Sequence, residues 1–283
     1  MAVPTIQGRR LAMELRALRR AAGYTQEQVC EITGVNSTTL WRWERGDQRP
    51  YRRTLVQLLD LYGVGEQKKR EVLELLKGGA RQGWSRDFAN LSREYAAYMS
   101  FEDEAEEVRN FQSLYIPGLL QTEDYARVVI KGMDPTLTST EIDQRVEARM
   151  GRRQLLEKER PLRLWAVLDE AALRRPVGGQ SVMKAQMNYI SALLARPHVT
   201  VQVIPFHAGP HPGLQANFSY LQFAADVPGI VYLEHGSGDL FLETESALKK
   251  YSATFDRLMA MADSPERSAH VIATMWADQG GES

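Results

Sequence analysis

The sequence predicts an α+β protein in two parts: an all-α head over residues 1–80 and a mixed α/β body with a small sheet over residues 81–283. Three observations predict it. Apolar residues recur at helical spacing through Leu76, and the glycine-rich run Gly78-Gly79-Ala80-Arg81-Gln82-Gly83 follows as a linker. Beyond it, helical periods alternate with short apolar runs of strand length.

In the head, Leu11, Leu15, Leu18 and Ala22 form the stripe of a first helix that Gly23 ends. Arg9, Arg10, Arg16, Arg19 and Arg20 fall largely off that stripe. Thr25-Gln26-Glu27-Gln28 has the form of a capping box and starts a short second helix, with Val29 and Ile32 expected to face the core. Gly34 makes a turn, Asn36 or Ser37 caps a third helix, and Gly46 stops it after Arg45. Leu55, Leu58, Leu59 and Tyr62 give a fourth helix, and Val72, Leu75 and Leu76 a fifth.

The third helix carries the chemistry. Leu40 and Trp43 point inward, which leaves Ser37, Thr38, Trp41 and Arg42 on the outer face. A helix lying in the major groove offers such a face to base edges. Arg42 can pair with guanine O6 and N7, Ser37 and Thr38 can bond to bases or phosphates, and Trp41 offers an apolar edge to a thymine methyl. Gln26, at the start of the second helix, sits where amides meet phosphate oxygens. Charge agrees with this: residues 1–82 hold 15 Lys/Arg against 9 Asp/Glu, while the remainder holds 20 against 27. A basic head on an acidic body suits a chain that meets a polyanion at one end. Cys30 is read as a core residue, because the head contains no histidine to activate it.

In the body, residues 84–108 read as a helix with Phe88, Leu91, Tyr95, Tyr98 and Met99 on one face. The acidic cluster Glu102, Asp103, Glu104, Glu106 and Glu107 is expected to be a solvated helix face. A turn at Ile116–Thr122 leads into a helix capped by Thr122. An arginine-rich helix runs from about Thr140 to Glu159, with Asp143 at the capping-box position. Strands follow at 162–168, 199–204, 218–223, 230–234 and 240–243, with helices at 181–195 and 246–261.

His207, His211, Glu234, His235 and Asp239 supply enough donors for a zinc site, yet Pro205, Pro210 and Pro212 keep the two loop histidines off any helix. They are read as loop residues, with no metal and no cofactor. Asp169-Glu170 reads as a helix cap or a catalytic pair. The sequence has no nucleophile elbow, phosphate-binding glycine loop or Cys-x2-Cys pair, and no enzyme is expected. No apolar run approaches the ~20 residues that span a bilayer, and the single cysteine fits a reducing compartment, so a cytoplasmic protein with no membrane partner is expected.

The run Leu15-Arg16, Gly23-Tyr24-Thr25-Gln26, Gly34-Val35-Asn36, Leu40 through Gly46 and Arg49-Pro50 closely resembles the xenobiotic-response-element (XRE) family, which shares the five-helix fold of lambda repressor. The resemblance implies base contacts by Ser37, Thr38, Trp41 and Arg42 and phosphate contacts by Gln26 and Asn36, a set that Thr39, Arg10 and Arg45 complete. It makes Glu44 structural, paired with an arginine near the end of the first helix. Cys30 stands where the family usually has alanine, and Trp41 is large for a base-reading position. The runs Ile116–Thr122 with Tyr125-Ala126-Arg127, Leu168–Leu173, Val201–Phe206 and Val231–Glu234 resemble the C-terminal domain of WhiJ-like, or antitoxin-like, actinobacterial regulators.

Three functional readings follow. The leading one is a transcriptional regulator that binds double-stranded operator DNA as a homodimer. The second is an antitoxin-like protein that captures a small partner protein encoded nearby. The third is a small-molecule receptor with Trp165, Phe206, Phe218 and Tyr232 around its pocket.

Overall fold

The computed structural model describes residues 6–76, 91–224, 227–234 and 238–276. The chain divides into two units, residues 1–89 and 90–283. The sequence boundary at residue 80, the glycine-rich run and residues 84–90 lie outside the described residues.

The described part of the first unit is α-helical: α1 (Ile6–Ala21), α2 (Gln26–Thr33), α3 (Ser37–Arg45), α4 (Arg52–Leu61) and α5 (Glu66–Glu74). The start of α2 is the expected capping box, with the Thr25 hydroxyl accepting from the Gln28 amide and the Gln28 side chain accepting from the Thr25 amide. Leu11, Leu15, Val29, Leu40, Trp43, Leu55, Leu58, Leu59, Tyr62 and Val72 form one core. Ile32 does not join it and is 59% exposed. The two-turn helix turns Val29 and its neighbour Cys30 toward the core, which carries Ile32 round to the outside. Burial pushes the Cys30 thiol up from its ordinary pKa, in keeping with a core residue.

The second unit contains, in order, α6 (Arg93–Glu104), β1 (Glu107–Gln112), α7 (Glu123–Met133), α8 (Ser139–Gly151), β2 (Arg163–Asp169), α9 (Glu170–Arg174), α10 (Gln180–Leu193), β3 (Val199–Ile204), β4 (Phe218–Gln222), β5 (Ile230–Leu233), β6 (Leu240–Leu242), α11 (Glu245–Met261) and α12 (Pro265–Thr274). Short 3-10 turns lie at Gly118–Leu120, Arg152–Leu156, Phe206–Ala208 and Pro212–Gln215. The strands form one six-stranded sheet in the order β3-β2-β1-β4-β5-β6. β1, β2 and β3 are parallel, and β4, β5 and β6 join on antiparallel.

Several expectations are corrected. The helix expected over 84–108 ends at Glu104, and Glu107–Gln112 is a strand at the middle of the sheet. The acidic cluster is not a solvated helix face: Glu102 is 1% exposed and forms a two-pronged ion pair with Arg152, at 2.6 and 2.7 Å. The capping box of α8 is Thr138 with Glu141, two residues earlier than Asp143. A further helix, α12, follows α11; Ser264 caps it and Pro265 occupies its first turn. It covers the edge strand, since the Ser268 hydroxyl accepts from the Val203 amide at 3.0 Å.

Strand alternation sorts the sheet into two faces. On one, Phe111, Val167, Phe218 and Val231 pack with Phe255 and Leu258 of α11. Gly213 presses on this layer, where a Cβ would stand 2.4 Å from the ring of Phe111, itself fully buried. Gly213→Ala is therefore expected to destabilise the second unit by roughly 1–3 kcal/mol through overpacking. Urea unfolding of the full chain checks this; a midpoint equal to wild type would show that the ring yields freely.

Candidate nucleic-acid interface

Three glycines shape the head around α3. Gly34 (φ 71°) and Gly46 (φ 78°) take left-handed conformations that cap α2 and α3, and Gly23 (φ 77°) follows α1. Asn36 caps α3, its Oδ1 accepting from the Thr38 amide at 2.9 Å. The cap occupies the acceptor and leaves the Nδ2 donors, the end an anionic phosphate can use.

The inner side of α3 is fixed by Leu40, Trp43 and Glu44, at 0, 6 and 2% exposure. Glu44 is the hub. Arg19 of α1 grips its carboxylate at 2.6 and 2.9 Å, and Gln26 of α2 donates to Oε2 at 2.8 Å. Arg16 bonds to the Glu44 carbonyl, and Arg19 reaches the Tyr24 carbonyl at 2.7 Å. One buried carboxylate thus ties α1 and α2 to α3. Hydrogen bonding to Glu44 raises the Arg19 pKa above its ordinary value, so the guanidinium stays charged. Arg19 is the arginine that the family resemblance left unnamed, and it sits at the core edge rather than off the apolar stripe.

The outer side of α3 carries the expected base-contacting residues. Ser37, Thr38, Trp41 and Arg42 are all exposed, at helix positions that share a face. Among the described residues the Arg42 side chain has no hydrogen-bond or ion-pair partner, so its fork of donors faces outward unspent. Trp41 is 45% exposed and carries the Arg45 guanidinium over its ring at 4.4 Å. Arg45 also lies 3.4 Å from Asp47. Of the expected phosphate contacts, Asn36 and Arg45 are exposed, and Gln26, Thr39 and Arg10 are partly buried. Gln26 commits only one of its two amide N–H groups to Glu44, which leaves the other for an acceptor outside.

The remaining candidates disperse. His211 is buried and its Nε2 lies 2.9 Å from Asp169, while Asp169 also caps α9 through the Ala171 amide at 2.7 Å. The Glu170 carboxylate is held by Arg174 and by the Phe206 amide. Glu234 accepts from Tyr115, and His235 lies outside the described residues. Among the described residues, no group of three His, Cys, Asp or Glu side chains could hold a metal ion. Trp165 packs with Phe218 in the layer under α11, Tyr232 pairs in register with Ser219 on the opposite face of the sheet, and Phe206 is 58% exposed, so the four residues do not share one face. Among the described residues no helix is long and apolar enough to cross a membrane.

Comparison with known families divides the chain in the same way. A helix-turn-helix domain model matches residues 10–73, and the DUF5753 model, described as a domain of unknown function, matches residues 95–274. No curated protein and no solved structure matches the chain.

Proposed function

The chain belongs to the DUF5753 family, and from that premise together with its helix-turn-helix head we propose that it is a sequence-specific transcriptional regulator that reads operator DNA in the major groove with α3. The observation that carries the reading is the two-sided α3: its inner face is locked by Leu40, Trp43 and Glu44, and its outer face presents the unspent donors of Arg42 beside Ser37, Thr38 and Trp41. The fit to the XRE group belongs to this reading, as do action as a homodimer on a two-fold operator, a cytoplasmic setting and the absence of catalysis. Residues 90–283 are the controlling part, through a small partner protein or a small molecule.

Selection of duplexes from a random pool by the full-length protein tests the proposal, with sedimentation reporting the dimer on DNA. Enrichment of one motif is expected. Arg42→Ala should then weaken binding to that motif by roughly 5- to 150-fold, the roughly 1–3 kcal/mol of a two-pronged guanine contact, with random-sequence binding kept. Gln26→Ala should weaken both alike. A pool that stays random after selection would remove the regulator reading. Co-purification of a small neighbouring gene product would favour the partner form of control over the ligand form.

A further inference from the structure

The face of the sheet opposite α11 breaks the rule that buried strand faces are apolar. One row crosses all six strands in register: Val201, Ala166, Asn110, Ser219, Tyr232 and Phe241. It is apolar at both ends and polar in the middle. Asn110 and Ser219 are 5 and 4% exposed, and Gln112, two residues along β1 on the same face, is 6% exposed. α6 lies over them; Tyr98 stacks on Tyr232 at 4.2 Å and its hydroxyl reaches Ser219 at 3.4 Å. The Asn110 Nδ2 donates to Ser219 at 2.7 Å, yet among the described residues Asn110 Oδ1 and Gln112 Oε1 have no partner, and neither does the Nε of Arg149, which lines the same space.

These groups border a cavity of about 40 Å³. Tyr95, Arg149 and Glu234 also border a neighbouring hollow of about 270 Å³, which Ile130 and Met133 line as well. The inner space exceeds what one water needs and takes a head group of a few atoms, and the outer hollow has room for the rest of a small molecule. Charge around the inner space is matched in number, since the Arg152 guanidinium is bound to Glu102, and Arg149 and Glu234, which also line it, carry opposite signs. The Tyr98 and Tyr232 hydroxyls are spent on Glu102 and Asp239. Among the described residues, the buried polar atoms of this lining left without a partner are Asn110 Oδ1, Gln112 Oε1 and Arg149 Nε.

We propose that this cavity binds a small uncharged molecule through an amide edge, an N–H beside a C=O as in a carboxamide, lactam or nucleobase. A ligand N–H donates to Asn110 Oδ1 or Gln112 Oε1, or to both where the ligand is a primary carboxamide, and its carbonyl accepts from Arg149 Nε. An amide side chain offers a donor and an acceptor, so an amide edge answers either orientation of Asn110 and Gln112. Tyr95, which borders both spaces, supplies an aromatic wall for a flat ring. That occupancy alters DNA binding rests on the regulator reading; the site itself does not, and it is measured without DNA.

The probes are nicotinamide, uracil and 2-pyrrolidinone at millimolar concentration on the full-length protein, with nicotinate as the charged control. At least one of the three is expected to shift the Asn110 and Gln112 side-chain amide signals and to raise the melting midpoint by about 2–4 °C. Gln112→Leu should remove the response while the unliganded midpoint stays level or rises, because an unpartnered buried acceptor is replaced by an apolar group. Silence from all three probes would overturn the proposal and leave a cavity for water. So would an equal response to nicotinate, or a Gln112→Leu protein that melts lower and still responds.

Discussion

Glu44→Ala is expected to cost the head about 3–5 kcal/mol and to abolish binding to any duplex, specific or random. The substitution removes the carboxylate but leaves the Arg19 guanidinium at the core edge, only 10% exposed as a side chain, with the Tyr24 carbonyl as its remaining acceptor. Removing one member of a buried ion pair costs far more than the pair contributes, because the surviving charge keeps its desolvation penalty. The loss also frees Gln26 from α3, so the angle between α2 and α3 is no longer fixed. Amide hydrogen exchange on the full chain reads the two units separately. Fast exchange across α1 to α3 with an unchanged second unit is the expected pattern. Protection within about 1 kcal/mol of wild type would show that Glu44 is not the hub.

Arg152→Met should be as damaging in the second unit, again about 3–5 kcal/mol. Glu102 is 1% exposed, and without Arg152 its carboxylate keeps, among the described residues, only the Tyr98 hydroxyl at 2.7 Å. Arg152 also accounts for the Tyr95 hydroxyl, to which it donates at 2.8 Å, so the single change strands several polar atoms together. The double variant Arg152→Met with Glu102→Leu should recover most of the loss, since apolar groups of similar volume replace both charges. Urea midpoints of the two proteins decide this. A double variant no more stable than the single one would show that the pair is a net source of stability.

The head was legible almost residue by residue because its signals are local. Capping residues, glycine stops and helical spacing all act within one or two turns, and Thr25, Gly34, Asn36 and Gly46 each do in the structure what their type suggests. Ile32 escaped because a two-turn helix has too few residues to fix which side faces in. The body was legible where apolar residues alternate along a strand, as at Val199–Ile204, where Val199, Val201 and Val203 share one buried face. β1 was not. Its inward positions after Val108 are Asn110 and Gln112, so the alternation that announces a strand is erased by the polar cavity it lines. The misreading and the site have one cause. Glu102 was missed for a related reason, since a buried carboxylate is recognisable only beside its partner, which lies 50 residues away. The Ser264-Pro265 start of α12, by contrast, is an ordinary cap signal that sequence reasoning could have taken.

The strand order of the sheet sets a timetable for synthesis. β1 pairs with β2, which begins at Arg163, and with β4, which ends at Gln222, so both flanks of the central strand are filled by segments well downstream of it. A nascent chain must hold Glu107–Gln112 open on one side until more than a hundred further residues have left the ribosome. The head needs no such wait, because its core closes within the first 72 residues. Sheets completed by such distant segments form slowly and expose pairing edges meanwhile. The second unit should therefore be the slower part to mature, and the one that depends on a chaperone when expression is fast.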